Sequence, residues 1–166
     1  RLYDDDPKTR LECVEKIALL ASRSSNLEAL ASHETLPQTL ARVLREDGRR
    51  STDVATHCLC VFFALSNASA FHGLILGNQV GDATLRVVDL ELRRAADRRK
   101  THLRTNAPRV HSNDSTNPIT NTNDEDIADI ADIDEFEARR VVLAEKKRDA
   151  LLYVAFYALL NVAEDV

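Results

Sequence analysis

The sequence predicts an all-α chain assembled from repeated helical units, and three observations support this fold class. Hydrophobic residues make up 44% of the 166 residues and charged residues 30%, while Gly and Pro occur only four times each, a balance that favours a helical soluble protein. Apolar residues recur at the spacing of one helix face over several stretches. Similar stretches then return at a fixed interval along the chain, as repeat proteins require.

The repeat period is 45 residues, and a further copy follows after a longer interval. Cys13, Ile17 and Leu20 recur 45 residues later as Cys58, Phe62 and Leu65; Phe62, Phe63, Leu65 and Asn67 recur 94 residues later as Phe156, Tyr157, Leu159 and Asn161. A helical period of about 40 to 47 residues is typical of armadillo solenoids. We therefore predict an armadillo-like α-solenoid, a right-handed superhelix of three-helix repeats. The two intervals differ by 49 residues, which predicts an insertion in the last repeat.

Capping signals predict where the helices of these repeats begin and end. Asp6 before Pro7 is an N-cap followed by a first-turn proline, and it opens a helix that ends near residue 22. Gly48 suits a helix stop, and Ser51 can cap the next helix, which runs to about residue 68. Two pairs fit the capping-box pattern at the starts of the helices in between. These pairs are Ser25 with Glu28 and Thr35 with Gln38.

The predicted organisation has three parts. Residues 1–105 hold the repeats: the third helix of one repeat, one full repeat, and the start of the next, with helices at 71–76 and about 83–104. Residues 106–124, rich in Pro, Ser, Thr and Asn, are predicted to form a disordered loop of the insertion. Residues 125–166 are predicted to form a long helix that completes the interrupted repeat. The chain has no Met and begins at Arg1, so we expect a fragment of a longer solenoid.

Composition limits the classes of partner and compartment. A net charge of −5 gives no general case for nucleic acid or an anionic membrane as the partner, because both select for surplus Lys and Arg. Three cysteines without framework spacing favour a reducing, cytoplasmic setting. The longest apolar stretch, residues 150–160, is too short to span a bilayer.

Two pairs of residues are candidates for a partner-binding groove. Asn67 and Asn161 match the position at which armadillo third helices present an Asn to an extended peptide, and Phe63 and Tyr157 stand four residues earlier, where side-chain pockets form. An amide suits this role because it offers both a donor and an acceptor. The alternative interpretation is that the two Asn residues stabilise helix ends while the two aromatic residues pack in the core.

A second candidate surface is a basic run near the predicted insertion. It comprises Arg93, Arg94, Arg98, Arg99 and Lys100. The run could bind phosphates, phosphoinositides or acidic peptides. However, it lacks the interleaved aromatic residues that stack on nucleic-acid bases, and an acidic run at 124–137 is available to pair with it.

The sequence offers no constellation for catalysis, cofactor binding or metal binding. His57, Cys58 and Cys60 resemble a metal cluster, but two residues separated by two positions on a helix point about 200° apart, so Cys58 and Cys60 cannot converge on one ion. Glycine-rich phosphate loops and nucleophile-elbow motifs are missing from the sequence. We therefore predict a protein that is not an enzyme and that has no small-molecule substrate.

Three stretches carry a wider resemblance. They are NLEALASHETLPQTLARVLRED at 26–47, FFALSNASAFHGLI at 62–75 and LLYVAFYALLNVAEDV at 151–166. With a charged insertion before the last stretch, they resemble the kinesin-associated protein family, the non-motor accessory subunits of heterotrimeric kinesin. The Asn- and Thr-rich segment at 107–124 departs from that family, in which we expect Lys and Glu.

The resemblance implies a scaffold rather than a catalyst. It implies binding to the tail and stalk regions of kinesin motor subunits and to cargo adaptors, in microtubule-based and intraciliary transport. It also implies a location in the cytoplasm, on the cytoskeleton and in the cilium or flagellum. Two alternatives stay open: an armadillo peptide receptor of the importin or catenin type, and a binder of nucleic acid or phosphoinositides through the basic run.

Overall fold

The structure is a computed structural model that describes the backbone of residues 2, 4, 6–105 and 124–163. Of these, residues 102–105, 124–135 and 137 are described by their helical backbone alone. Over the described residues the chain is helical with short turns and contains no strand, so the predicted all-α fold class is confirmed. Residues 106–123, which make up nearly all of the predicted insertion loop, lie outside the described residues.

Seven α-helices follow one another in the described part of the chain. They are α1 (Pro7–Ala21), α2 (Leu27–Ser32), α3 (Leu36–Glu46), α4 (Thr52–Ser66), α5 (His72–Gly77), α6 (Val80–Thr105) and α7 (Asp124–Ala163). Single 3-10 turns at Ser24–Asn26 and Ser69–Phe71 precede α2 and α5. A six-residue helix followed by two longer helices occurs twice, with lengths of 6, 11 and 15 residues in α2, α3 and α4 and of 6, 26 and 40 residues in α5, α6 and α7. Whether these are armadillo repeats stays a prediction.

The chain divides into two compact units, one made of residues 1–93 and 147–166 and the other of residues 94–146. The boundaries that the sequence predicts at residues 105 and 124 separate repeats from an insertion rather than these two units, and they stay a prediction. In the second unit, the small side chain of Ala95 on α6 is buried, and Arg140 lies over the ring of Phe136 at 5.9 Å from its centroid. No helix in the described ranges is long and apolar enough to cross a bilayer.

The core of the first unit is organised around α4. Phe62, Leu59 and Cys58 on this helix are completely buried. The core of buried apolar side chains around α4 includes Val14 of α1 and Leu151 of α7. A salt bridge of 2.6 Å between Arg10 and Asp47, both largely buried, adds a link from α1 to the turn before α4.

Two of the predicted caps form as expected. Asp6 accepts hydrogen bonds from the backbone N–H groups of Lys8 and Thr9 at the start of α1. Ser51 accepts one from the N–H of Val54 at the start of α4. Each cap satisfies donors that a helix leaves unpaired in its first turn.

The two predicted capping boxes are wrong as hydrogen-bonded motifs, although helices begin at both places. Ser25 lies within a 3-10 turn, which moves the N-cap position to Asn26, and neither Asn26 nor Thr35 makes a side-chain capping bond. The reason is the backbone: ψ is −14° at Asn26 and −13° at Thr35, whereas a capping side chain requires an extended residue. Asn26 instead donates to the carbonyl of Leu20.

Gly48 ends α3 by close approach rather than by a left-handed backbone. No glycine in the described chain has a positive φ. A Cβ atom at residue 48 would lie 2.4 Å from the backbone oxygen of Leu44, which cannot move without disturbing α3. The predicted helix stop is confirmed, since α3 ends at Glu46, and the close approach explains why a glycine suits residue 48.

We expect Gly48→Ala to lower the free energy of unfolding by about 1–3 kcal/mol, because the new methyl group overpacks against a backbone oxygen. The measurement is urea denaturation followed by circular dichroism. Gly73→Ala is the matched control, since nothing lies within 4 Å of its Cβ position in α5, and it should leave stability unchanged or raise it. Equal effects of the two substitutions would contradict the steric explanation.

The cap at Asp6 predicts a pH dependence. Hydrogen bonds from Thr9, above all from its hydroxyl, and from Lys8 hold the pKa of the Asp6 carboxyl below its usual value of 3.8. Its contribution to stability is therefore present above pH 3.8 and is lost as the pH falls through the lower pKa of the folded state. Asp6→Ala should lower the melting temperature at pH 7, and the difference from the wild type should shrink at acid pH. A difference that persisted there would argue against the cap.

Candidate protein-binding surface

All four predicted groove residues lie together where α4 contacts the end of α7. The rings of Phe63 and Tyr157 meet edge to face, with their centroids 6.4 Å apart and their planes at 64°. One turn further along each helix, the side-chain amide of Asn161 donates to Asn67 Oδ1 over 3.2 Å. Phe63 and Asn67 on α4 therefore each lie beside the residue that follows them by 94 positions on α7.

The residues that make these contacts belong to a stripe of half-buried and exposed positions along both helices, here called the α4–α7 seam. Its residues are Asp53, His57, Cys60, Phe63 and Asn67 on α4, and Lys147, Ala150, Tyr153, Tyr157 and Asn161 on α7. Steps of three or four residues keep each set on one face of its helix, and none of the ten is buried. At the end of the seam opposite the amides, Lys147 Nζ lies 2.7 Å from Asp53 Oδ2.

Most of the amide donors in the seam are already used within the protein. Asn67 occupies the C-cap of α4 and donates from Nδ2 to the carbonyl oxygen of Phe63, an acceptor that the helix end leaves unpaired. Asn161 Nδ2 donates to both Ser66 Oγ and Asn67 Oδ1. Because an amide nitrogen carries only two hydrogens, the group left at Asn161 is its acceptor oxygen.

The bond to Phe63 supports the helix-end role for Asn67, whereas both bonds of Asn161 run to residues at the end of α4 and not to its own helix. The core role suits Phe63, which is half-buried, better than Tyr157, which is 44% exposed. Tyr153 joins the aromatic group, with its ring centroid 4.6 Å from that of Tyr157 and 58% of its surface exposed. Sequence reasoning missed Tyr153, although its position one helical turn before Tyr157 could have indicated it.

The seam has no counterpart of the same composition on α1. The positions that correspond to Phe63 and Asn67 are Ala18, which is half-buried, and Ser22, whose hydroxyl donates to the carbonyl of Leu19 at 2.7 Å. Neither offers a ring or an amide. The aromatic and amide pattern is therefore a property of the α4–α7 pair.

The predicted basic run lies on α6, and carboxylates neutralise part of it. Arg93 pairs with Asp89 at 2.8 Å, and Lys100 lies 3.9 Å from Asp97. Arg94 and Arg98 are only half-exposed and have partners of their own. Arg99 is the member of the run that is exposed without an ion pair among the described residues. The free positive charge of this surface is therefore smaller than the sequence suggests.

The cysteine and histidine cluster on α4 does not converge. Cys58 is fully buried, whereas Cys60 and His57 are partly exposed at the seam. Burial raises the pKa of both the Cys58 and the Cys60 thiol, which disfavours the thiolate that a metal requires. Within the described ranges, no group of three metal-ligating side chains comes together.

An apolar cavity of about 490 Å³ opens elsewhere in the first unit. Its lining comprises Phe62, Ile75, Leu76, Val80, Gly81, Thr84, Ala158, Leu159, Val162 and Ala163. Its one hydroxyl, on Thr84, donates to the carbonyl of Val80. The lining of the cavity is therefore mostly apolar.

The fold and the seam define an all-α protein of packed helices that presents a surface of tyrosines and amides. A family model described as kinesin-associated protein (KAP) matches residues 1–166, which is the whole chain. The chain belongs to the kinesin-associated protein family. No solved structure matches it.

A double-mutant cycle tests the amide contact between α4 and α7. Asn161→Ala should lower the free energy of unfolding by about 1 kcal/mol, the usual net value of a hydrogen bond. Asn67→Ala should cost a similar amount, and the double variant should cost less than the sum, because both single changes remove the same contact. Strict additivity in urea denaturation would mean that the two amides do not interact.

Proposed function

We propose that the chain is part of a non-catalytic scaffold that binds the tail and stalk regions of kinesin motor subunits and links them to cargo adaptors. The family membership supports the kinesin association. The observation that carries the proposal for this chain is the pair of exposed tyrosines, Tyr153 and Tyr157, whose ring centroids lie 4.6 Å apart on α7. Tyrosine is enriched where proteins bind proteins, because it offers a large rigid surface at low entropic cost.

The proposed scaffold has armadillo-type repeats, with α4 and the end of α7 as third helices. Binding in this scheme comes from aromatic anchors surrounded by polar groups, so no chemistry is required of the chain. Microtubule-based and intraciliary transport, with a cytoplasmic and ciliary location, complete the proposal by family resemblance. The cavity and the thiols contribute no catalytic group to it.

A second candidate function is that of a peptide receptor of the importin or catenin type. The observation that favours it is the same seam, since an aromatic residue followed after four positions by an Asn occurs on both helices. A phosphoinositide or nucleic-acid partner has less support. Arg93 and Lys100 already lie beside carboxylates, which weakens the attraction of the run for a polyanion.

Affinity capture with the tail regions of the kinesin motor chains tests the proposal. The chain should be retained. Tyr157→Ala should raise the dissociation constant about tenfold or more, as expected when a central aromatic anchor is removed. The measurement is isothermal titration or biolayer interferometry with purified tails.

Phe156→Ala is the matched control. Phe156 is the neighbour of Tyr157 on α7 and is 57% exposed, and its position about 100° around the helix from Tyr157 places it off the face that the seam residues share. The Phe156→Ala variant should bind the tails like the wild type. If neither tail is retained by the wild-type chain, or if both alanine variants bind equally well, the proposed use of this surface is wrong.

A further inference from the structure

Two segments of the chain carry the same pattern of charge before a threonine. The stretches RRST at 49–52 and RRKT at 98–101 both place arginines three and two residues before the threonine, and no other serine or threonine of the sequence follows two arginines at this spacing. Arginine-directed protein kinases select this pattern, because carboxylates in their substrate cleft pair with the two guanidinium groups. The two possible acceptors are therefore Thr52 and Thr101, and the structure distinguishes them.

The hydroxyl of Thr52 is committed to a buried carboxylate. Thr52 Oγ1 donates to Glu91 Oε1 over 3.0 Å, and Glu91 is 3% exposed. A phosphate on this oxygen would bring its negative charge against that carboxylate in a place with little water, which is costly. Thr52 is also the first residue of α4, and Val54 and Ala55 of the same turn belong to the core. Fitting this segment into a kinase cleft would therefore require part of the core to open.

Thr101 lies near the end of α6, where the helix contributes no side chain to a core. Its side chain is exposed, and its hydroxyl donates to the carbonyl of Asp97 on the same helix. Ala95 is buried, whereas residues 96–101 are all exposed or half-exposed. Helix ends open at low free energy when little packing opposes it. The last turns of α6, which ends at Thr105, can therefore open and enter a kinase cleft in an extended form.

From this contrast we infer that Thr101 is a phosphorylation site of an arginine-directed protein kinase and that Thr52, which carries the same motif, is not. In the reaction, Thr101 Oγ1 bonds to the γ-phosphorus of ATP, and the bond between that phosphorus and the bridging oxygen of ADP breaks. The hydroxyl proton passes to the catalytic carboxylate of the kinase, and ADP leaves. The inference goes beyond the proposed function, since it does not depend on the identity of the protein partner.

The phosphate acts as a charge switch at the end of the basic run. Residues 97–101 hold three cations and one carboxylate, a net charge of +2. A phosphate adds a charge of about −1.5 to −2 at neutral pH, so the segment loses nearly all of its positive charge. The attraction of this end of α6 for a polyanion falls accordingly.

The test uses the whole chain with MgATP and the catalytic subunit of cyclic-AMP-dependent protein kinase, a common arginine-directed kinase. Intact-mass spectrometry should show a single phosphate on the chain, and peptide mapping should place it on Thr101. Thr101→Ala should abolish the incorporation, whereas Thr52→Ala should leave it unchanged. Phosphate on Thr52, incorporation that survives Thr101→Ala, or no incorporation by the wild-type chain would overturn the inference.

Two synthetic peptides, with the sequences of residues 46–55 and 95–104, separate the effect of the fold from that of the motif. Both should be phosphorylated at their threonine, because both carry the motif without the contacts of the folded chain. In the whole chain only Thr101 should react. If the 46–55 peptide is not a substrate, its sequence alone excludes Thr52, and the structural basis of the inference is wrong.

Arginine variants test the recognition. Arg99→Ala should lower kcat/KM of the kinase for the chain about tenfold or more, as expected when a hydrogen bond to a charged group is lost. Arg93→Ala is the matched control, since Arg93 is also an exposed arginine of α6 but lies eight residues before Thr101 and outside the motif. It should leave kcat/KM unchanged. Equal effects of the two variants would mean that the kinase does not read this motif.

The charge switch is tested by comparing the phosphorylated and the unmodified chain on a heparin column. The phosphorylated form should elute at a lower NaCl concentration, because less positive charge faces the polyanion. If the two forms elute together, whether retained or not, the inferred charge switch is wrong.

Discussion

The two-sided burial of α4 is the constraint on which the rest of the first unit depends. Eight of its fifteen residues are buried, including Leu59, Phe62 and Leu65. A helix that buries this much of its circumference has little rotational freedom, because any rotation would expose large apolar side chains at about 25 cal/mol per Å². The remaining strip of its surface, with Phe63 and Asn67, is therefore fixed in orientation. The seam follows from this packing rather than from any bond made within it.

Helical periodicity was sufficient to predict the helices and the buried face of α4, since Val54, Cys58, Phe62 and Leu65 follow the spacing of one helix face. Burial was harder to predict. Phe62 and Phe156 occupy equivalent positions 94 residues apart, yet Phe62 is completely buried and Phe156 is 57% exposed. Spacing predicts where a side chain lies on its helix, but exposure depends on which elements pack against that helix. The same limit explains Leu20, which is 50% exposed although its counterpart Leu65 is buried.

Capping and hydrogen bonding show the same division between local and tertiary information. Asp6 and Ser51 cap as their sequence context predicts, because the backbone at both residues is extended. Thr35 does not, because its backbone is not extended, with ψ at −13°. In the seam, the spacing placed Asn67 and Asn161 together, but the sequence could not indicate that both hydrogens of Asn161 would be used on α4. That outcome depends on Ser66, a small buried residue without a functional pattern.

Charge and order together decide which of the two candidate surfaces is better suited to specific recognition. The arginines of α6 that are exposed are long and flexible, and an exposed ion pair contributes only about 0–1 kcal/mol because ordering both side chains costs entropy. The tyrosines of the seam contact each other and Phe63, and the charges of Asp53 and Lys147 at its end are paired. In the proposed function, a protein partner at the seam would displace water from the exposed faces of these rings. Burial of apolar surface of this kind varies far less with salt than attraction between charges does.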